Sequence, residues 1–232
     1  MTDIRTRSGG QLLMDSLVAL GATRGFGVPG ESYLAVLDAM VDHANAFDLV
    51  LCRQEGGAAY MAAAWGKLTG EPGLCFVTRG PGATNATVGI HTAMQDSVPM
   101  ILFVGQVGTD VMGREAFQEV DYTAFFGPLA KWAVQIDHVD RVPEIISRAW
   151  TVAMSGRPGP VVVALPEDML VGTSDRLPCD PVTIPEPAVP EAGAAQMAAM
   201  LGAAERPVML VGGTRWSAGS ARALERSSAV ND

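Results

Sequence analysis

Apolar residues in this chain fall into two alternating patterns. Short unbroken runs, such as Ile101-Leu102-Phe103-Val104 and Val161-Val162-Val163-Ala164-Leu165, are separated by stretches in which apolar residues recur every three or four positions. Runs of the first kind predict strands buried on both faces, and stretches of the second kind predict amphipathic helices. On this basis strands are expected over 24–28, 48–52, 74–78, 100–104, 132–136 and 161–165. Helices are expected over 10–20, 56–69 and 83–95. Another, capped by Ser32, carries Leu34, Leu37 and Val41 on one face, and a further one is marked by Val142, Ile145, Ile146 and Ala149. Strands alternating with helices of this length imply parallel βαβ units. The expected fold class is therefore α/β: a doubly wound, mostly parallel sheet with helices on both faces, formed by residues 1–171.

Beyond this domain the pattern changes. Residues 172–191 carry Pro178, Pro181, Pro185, Pro187 and Pro190, which predicts a stiff, extended linker. A second α/β unit is expected over 192–232, with a helix over 192–204, a strand over 208–211 and the start of another helix. One helix, one strand and part of a helix do not bury a core, so this unit reads as incomplete.

Composition narrows the partners. Hydrophobic residues make up 48% of the 232 positions and charged residues 18%, enough for a sizeable core. The net charge of −9 argues against nucleic acid and anionic membrane surfaces, both of which ask for a positive footprint. The polar opening Met1-Thr2-Asp3-Ile4-Arg5 does not read as a signal peptide, and no apolar stretch is long enough to span a bilayer. Cys52, Cys75 and Cys179 lie far apart and without metal-ligand spacing, which suits reduced thiols. A soluble cytoplasmic protein is the expectation.

Two segments carry candidate chemistry. Arg53-Gln54-Glu55-Gly56-Gly57 places a carboxylate at the carboxyl end of a predicted strand, where open α/β sheets bind ligands, with two glycines that let a flat ligand approach the backbone. By itself Glu55 reads equally well as an acid at the start of a helix, favourable to the helix dipole. Thr78-Arg79-Gly80-Pro81-Gly82-Ala83-Thr84-Asn85 is a glycine-rich turn of the kind that cradles phosphate. Asn85 stands at the third glycine position of a dinucleotide fingerprint, and the next strand ends in Gly105-Gln106 rather than an acid, so a nicotinamide reading is the weaker one.

The ordered series is more specific than either segment. Val28-Pro29-Gly30, Arg53-Gln54-Glu55-Gly56-Gly57, Gly80-Pro81-Gly82-Ala83-Thr84-Asn85, Asp96-Ser97-Val98-Pro99, Gly105-Gln106-Val107, Ala116-Phe117-Gln118-Glu119 and Ser155-Gly156-Arg157-Pro158-Gly159-Pro160-Val161 follow in that order. This series resembles the N-terminal, pyrimidine-binding domain of thiamine-diphosphate enzymes of the acetolactate synthase large-subunit type. The resemblance covers residues 8–171, and 192–220 loosely as the start of that family's central domain. It implies that Glu55 hydrogen-bonds N1′ of the cofactor's aminopyrimidine ring and promotes the tautomer that removes the thiazolium C2 proton. A carboxyl in that role needs a poorly solvated pocket, and Val50, Leu51, Ala58 and Ala59 suit one. The resemblance further implies that Pro29 and Gly30 line the pyrimidine and that Thr78, Pro81 and Asn85 approach the ring. Phe117 and Gln118 would lie over the thiazolium and substrate, with Gln118 in the catalytic set, and Lys131 stands where the family often has lysine. Each has an ordinary alternative: Phe117 as core, Gln118 as a loop amide, Lys131 as a solvated charge.

Two departures stand out. Gln54 occupies a position where the family commonly has histidine, and Glu31 one where acetolactate synthases tend to have glycine. His43, His91 and His138 match no motif, and no metal ligands are called on this chain. The family holds the diphosphate and Mg²⁺ through a Gly-Asp-Gly signature on a C-terminal domain, and that tripeptide does not occur here. The expectation is thus the pyrimidine half of a thiamine-diphosphate site, inactive by itself. A complementary diphosphate-binding domain, a homodimer or higher oligomer, and a small 2-keto acid substrate complete the picture. Flavin is compatible with the family, but no segment here asks for it. A 2-keto acid decarboxylase or lyase, and a non-catalytic dimerising module of the same fold, are the alternatives; the retained Glu55 and Gln118 count against the module.

Overall fold

The computed structural model describes residues 6–229. The opening pentapeptide and the last three residues of the expected 192–232 unit lie outside the described residues. In chain order the elements are β1 (Arg7–Ser8), α1 (Gly9–Ala19), β2 (Arg24–Gly27), α2 (Leu34–Asp42), β3 (Asp48–Leu51), α3 (Glu55–Thr69), β4 (Gly73–Val77), α4 (Gly80–Asp96), β5 (Met100–Gln106) and α5 (Tyr122–Phe126). They continue with β6 (Trp132–Gln135), α6 (Val142–Met154), β7 (Pro160–Pro166), α7 (Glu167–Val171), β8 (Thr173–Ser174), α8 (Glu191–Ala203) and α9 (Ala218–Ala229).

Among the described residues, six strands form one parallel sheet in the order β3-β2-β4-β5-β7-β6. The chain leaves β2 toward one edge of the sheet and returns at β4 to build toward the other, so the topological switch point lies between β2 and β4. Crevices at the carboxyl ends of strands on either side of such a point are where doubly wound sheets bind ligands. Both faces of the sheet are covered. Leu74 and Phe76 of β4 join α1, α2 and α6 in one core, while Cys75 and Val77 join α3, α4 and α5 in the other. That two-residue alternation is the strand period, with apolar residues on both phases because both faces are buried.

The small residues of α3 explain its close packing. Ala58, Ala59, Ala62, Ala63 and Gly66 are buried, and a side chain on Gly89 of α4 would run into Ala59. Gly73, at the start of β4, meets the Ala62 carbonyl in the same way. At the other end of the chain, Ser8 and Gln11 close a reciprocal capping box on α1. The antiparallel pair β1–β8 ties Arg7 to Ser174.

The structure corrects two local expectations. Ser32 does not cap α2; it sits in a short 3₁₀ turn, Glu31–Tyr33, fully buried, with its hydroxyl 2.9 Å from Thr78 Oγ1. The expected strand over 208–211 does not form, and Val208 and Leu210 are almost fully exposed. A strand needs a neighbour to take its ladder hydrogen bonds, and none lies alongside it among the described residues. Helix α8 forms as expected but buries no residue.

Candidate functional site

All the candidate residues except Lys131 gather near the switch point because the segments that carry them leave the carboxyl edge of the sheet. After β2, the Tyr33 hydroxyl donates to the Val28 carbonyl at 2.5 Å and fixes the approach to Pro29. Burial leads in pushing the Tyr33 phenol up, so it stays a neutral donor. Gly30 is obligatory there, since a Cβ would come within 2.5 Å of Thr78 Cβ. The ends of β2 and β4 are therefore in backbone-level contact. Pro29 and Pro81 are exposed at this edge, and Thr78 is half-buried.

Glu55 is the first residue of α3 and is half-buried. Its Oε2 accepts a 2.9 Å hydrogen bond from Asn85 Nδ2, one helical turn into α4. A side chain on Gly82 would start 3.0 Å from Thr78 Cγ2 and 3.5 Å from Glu55 Oε1. With no side chain of its own, Gly82 forms a close-packed cradle against Thr78 and Glu55 Oε1 between the two helix starts. Of the apolar shell expected around Glu55, Ala58 and Ala59 are buried, but Leu51 is 67% exposed. Gln54 caps α3, its Oε1 accepting from the Gly57 N–H at 2.9 Å, which gives it a structural role where the family commonly has histidine. Gly56 does not serve a flat ligand: the space a Cβ would need there is bounded by Gln54 Oε1, Asn85 O and Val88.

The loop after β5 completes the group. Gln106 is buried and donates to the Val120 carbonyl at 2.8 Å, drawing the loop back over the strand that carries it. The Glu119 carboxylate accepts from the Gly113 and Ala116 N–H groups, at 2.6 and 3.0 Å, and those bonds hold its carboxyl below the usual range. Between these anchors Gln118 adopts φ +63°, a left-handed conformation that few non-glycine residues take. A Cβ on Gly80 would lie 2.9 Å from the Gln118 carbonyl. The Tyr122 hydroxyl accepts the Gly80 N–H at 2.8 Å. The loop thus rests on the start of α4, beside Thr78. Burial leads in pushing the Tyr122 phenol up to about 12, so this contact survives across ordinary pH.

Phe117 is not core: its ring is 71% exposed, 6.0 Å from the Arg79 guanidinium carbon. Lys131 is not part of the group. It precedes β6 at the amino edge of the sheet, and its Nζ donates to the carbonyls of Val152 and Ser155 at the end of α6. There it neutralises a helix C-terminus. The backbone explains the difference, because the resemblance placed Lys131 by sequence position while strand direction sends it to the opposite edge.

Three neighbours of the site, Ser32, Tyr122 and Arg79, were not assigned to it from the sequence. Ser32 and Tyr122 carry no local signal, because their roles depend on strand order. Arg79 lay in view inside the glycine-rich turn, but its partners Glu31 and Glu167 come from loops after β2 and β7.

Comparison with known proteins decides which family uses this arrangement. The family model described as "Thiamine pyrophosphate enzyme, N-terminal TPP binding domain" matches residues 7–125, which include every loop of the cluster. The chain belongs to the thiamine pyrophosphate enzyme family. The curated relatives it matches include acetolactate synthase subunits. The acetolactate synthase isozyme 3 large subunit of Escherichia coli (strain K12) is 41% identical over 171 residues, covering 74% of this chain and 29% of that protein. The isozyme 2 large subunit of the same organism is 37% identical over 206 residues, covering 89% of this chain and 37% of that protein. The mitochondrial acetolactate synthase catalytic subunit of Aspergillus candidus is 36% identical over 219 residues, covering 89% of this chain and 31% of that protein. The chain spans about a third of the length of these relatives. Among the described residues no helix is long and apolar enough to cross a membrane.

Proposed function

We propose that this chain supplies the pyrimidine-binding half of a thiamine-diphosphate site in an acetolactate synthase-like enzyme that joins 2-keto acids with loss of CO₂. The observation that carries the reading is the Glu55–Asn85 pair facing the Gly82 cradle at the switch point, with Gly30 and Thr78 packed beside it. The set fits a flat heteroaromatic ring: one carboxylate and one amide beside a glycine, with the Thr78 methyl against it. It does not fit a diphosphate-bound Mg²⁺, which takes several hard oxygen ligands. That part of the cofactor is assigned to a complementary domain.

Within this half-site, Glu55 holds the pyrimidine N1′ through Oε1 and shares a proton there, while Asn85 fixes the carboxylate through Oε2. Pro29, Gly30 and Pro81 shape the walls, and Gln118 reaches the reacting centre from the loop above. The cofactor, when bound, supplies the nucleophilic carbon. The exposed Tyr60, Met61 and Val88 on α3 and α4 support self-association along these helices. Light scattering is expected to show at least a dimer.

The test of the reading is hydrogen–deuterium exchange at the thiazolium C2, with the chain supplied with its complementary domain. Glu55→Gln is expected to retain the cofactor and lose fast exchange; exchange at the wild-type rate would return Glu55 to an ordinary helix-start acid.

A further inference from the structure

Two features of the site mouth are costly by themselves and lie side by side. Arg79 is nine-tenths buried, and its Nε has no acceptor among the described residues. Phe117, directly over the guanidinium, presents most of its ring to solvent. A buried charged donor without an acceptor and an exposed aromatic ring are both unfavourable, and a functional site is where such costs persist. One ligand relieves both if it carries a carboxylate for the guanidinium and a short apolar end for the ring.

Arg79 is also placed to reach such a ligand. It is the residue before α4, between Thr78 and Gly80, and Gly80 touches the Gln118 backbone. Its Nη2 is shared by two carboxylates, Glu31 Oε1 at 2.6 Å and Glu167 Oε1 at 3.2 Å. Their side chains are 69% and 42% exposed, so water compensates when either lets go. Both groups bind through the same nitrogen, while Nε is enclosed and has no acceptor among the described residues, so a ligand reaches the guanidinium only as one of the two carboxylates lets go. Planar, two-point recognition of a carboxylate is what a guanidinium does better than any other side chain.

We propose that Arg79 is the specificity-determining group that recognises the carboxylate of a small 2-keto acid, whose apolar end packs on Phe117, with Glu31 and Glu167 as internal competitors for the same cation. The proposal deepens the functional reading above and rests on it for the identity of the acid. The competition gives it a signature: removing one competing charge strengthens ligand binding, although the residue removed touches no ligand.

The test uses the 232-residue chain without cofactor, so its outcome is separate from that of the C2-exchange experiment. The Arg79 Nε–H resonance, assigned by through-bond correlation, is followed while pyruvate is added, with butane-2,3-dione as the uncharged control. Pyruvate is expected to move the Nε–H signal and the Phe117 ring signals saturably, and butane-2,3-dione to leave Nε–H in place. Glu31→Gln is expected to lower the half-saturating pyruvate concentration by about two- to fivefold, the scale of one exposed ion pair. An Nε–H signal that ignores pyruvate, or follows the dione equally, overturns the proposal. So does a Glu31→Gln chain that binds pyruvate no better than wild type. Glu167→Gln, predicted to act in the same direction, provides the same check if Glu31→Gln does not fold.

Discussion

The two edges of the parallel sheet treat their polar groups in opposite ways. At the amino edge, Lys131 gives its charge to the last carbonyls of α6, and Arg157 gives its own to Met94 and Gln95 at the end of α4. Glycines there, such as Gly73 and Gly66, are filled against by backbone from Ala62 and Pro99. At the carboxyl edge the glycines are filled against by side chains and loop backbone of neighbouring segments, Gln118 takes a left-handed backbone, a guanidinium nitrogen lacks an acceptor among the described residues and an aromatic ring faces water. One edge is finished by the chain itself, whereas the other is left to be finished by something that binds. In a fold built from repeated βα units, that contrast locates the site more sharply than any single residue does.

Substitutions on the two edges should therefore separate into losses of chemistry and losses of stability. The largest effect is expected from Glu55→Gln, which should slow C2 exchange in the assembled enzyme by about 10²–10⁴-fold while leaving the thermal midpoint near wild type. A matching loss of stability would break the contrast. Gly73→Ala should do the reverse. The added methyl meets the Ala62 carbonyl, and denaturant unfolding should show a loss at or above the upper end of about 1–3 kcal/mol. Lys131→Met should cost less, about 1 kcal/mol, because the freed α6 carbonyls are partly reached by water. It should leave C2 exchange unchanged, and a change there would restore Lys131 to the substrate side.

The smallest effect concerns acid. The Gly113 and then the Ala116 N–H groups hold the Glu119 carboxyl below its ordinary value of 4.5. A depressed carboxyl contributes its stabilisation in full above the unfolded value and loses it as pH falls through the folded one. The amide resonances of Gly113 and Ala116 should accordingly move together only once pH falls below that ordinary value, and before the sheet itself unfolds. Unfolding of the whole domain in the same step would show that the loop is not a separate unit.

Much of the site edge could be read from the sequence. Strands betray themselves by unbroken apolar runs, and the residues just after them are the residues at the carboxyl edge, so Gly30, Glu55, Thr78 and Asn85 were bound to share one edge once the sheet was parallel. What could not be read is lateral: which strand lies beside which. The Arg79–Glu167 pair depends on β7 lying two strands from β4, and the Ser32–Thr78 contact on β2 lying next to it. Lys131 failed for the complementary reason, since a residue before a strand belongs to the other edge whatever its relatives carry at that position. The pattern over 208–211 has strand character but no neighbour, and pattern alone does not supply one. The two-residue ribbon β1–β8 and the five-residue helices α5 and α7 are too short to leave a period.

The path taken by residues 175–216 has a consequence of its own. The chain leaves the domain beside Ser8, on the same edge as Glu55, because α1 begins where the parallel strands end. It then runs down the flank of α1, where Cys179 bonds Ser16, and Val182 and Ile184 pack on the core. It ends at the far edge, where Thr214 bonds the Ser97 carbonyl and Arg215 reaches Met154 and Glu186. Residues 175–216 work as a strap that carries the polypeptide the full depth of the domain away from the edge that holds Glu55. A polypeptide routed in this way does not fold directly over that edge. On the proposed reading, the complementary wall would come from another molecule or from a segment long enough to travel the whole distance back.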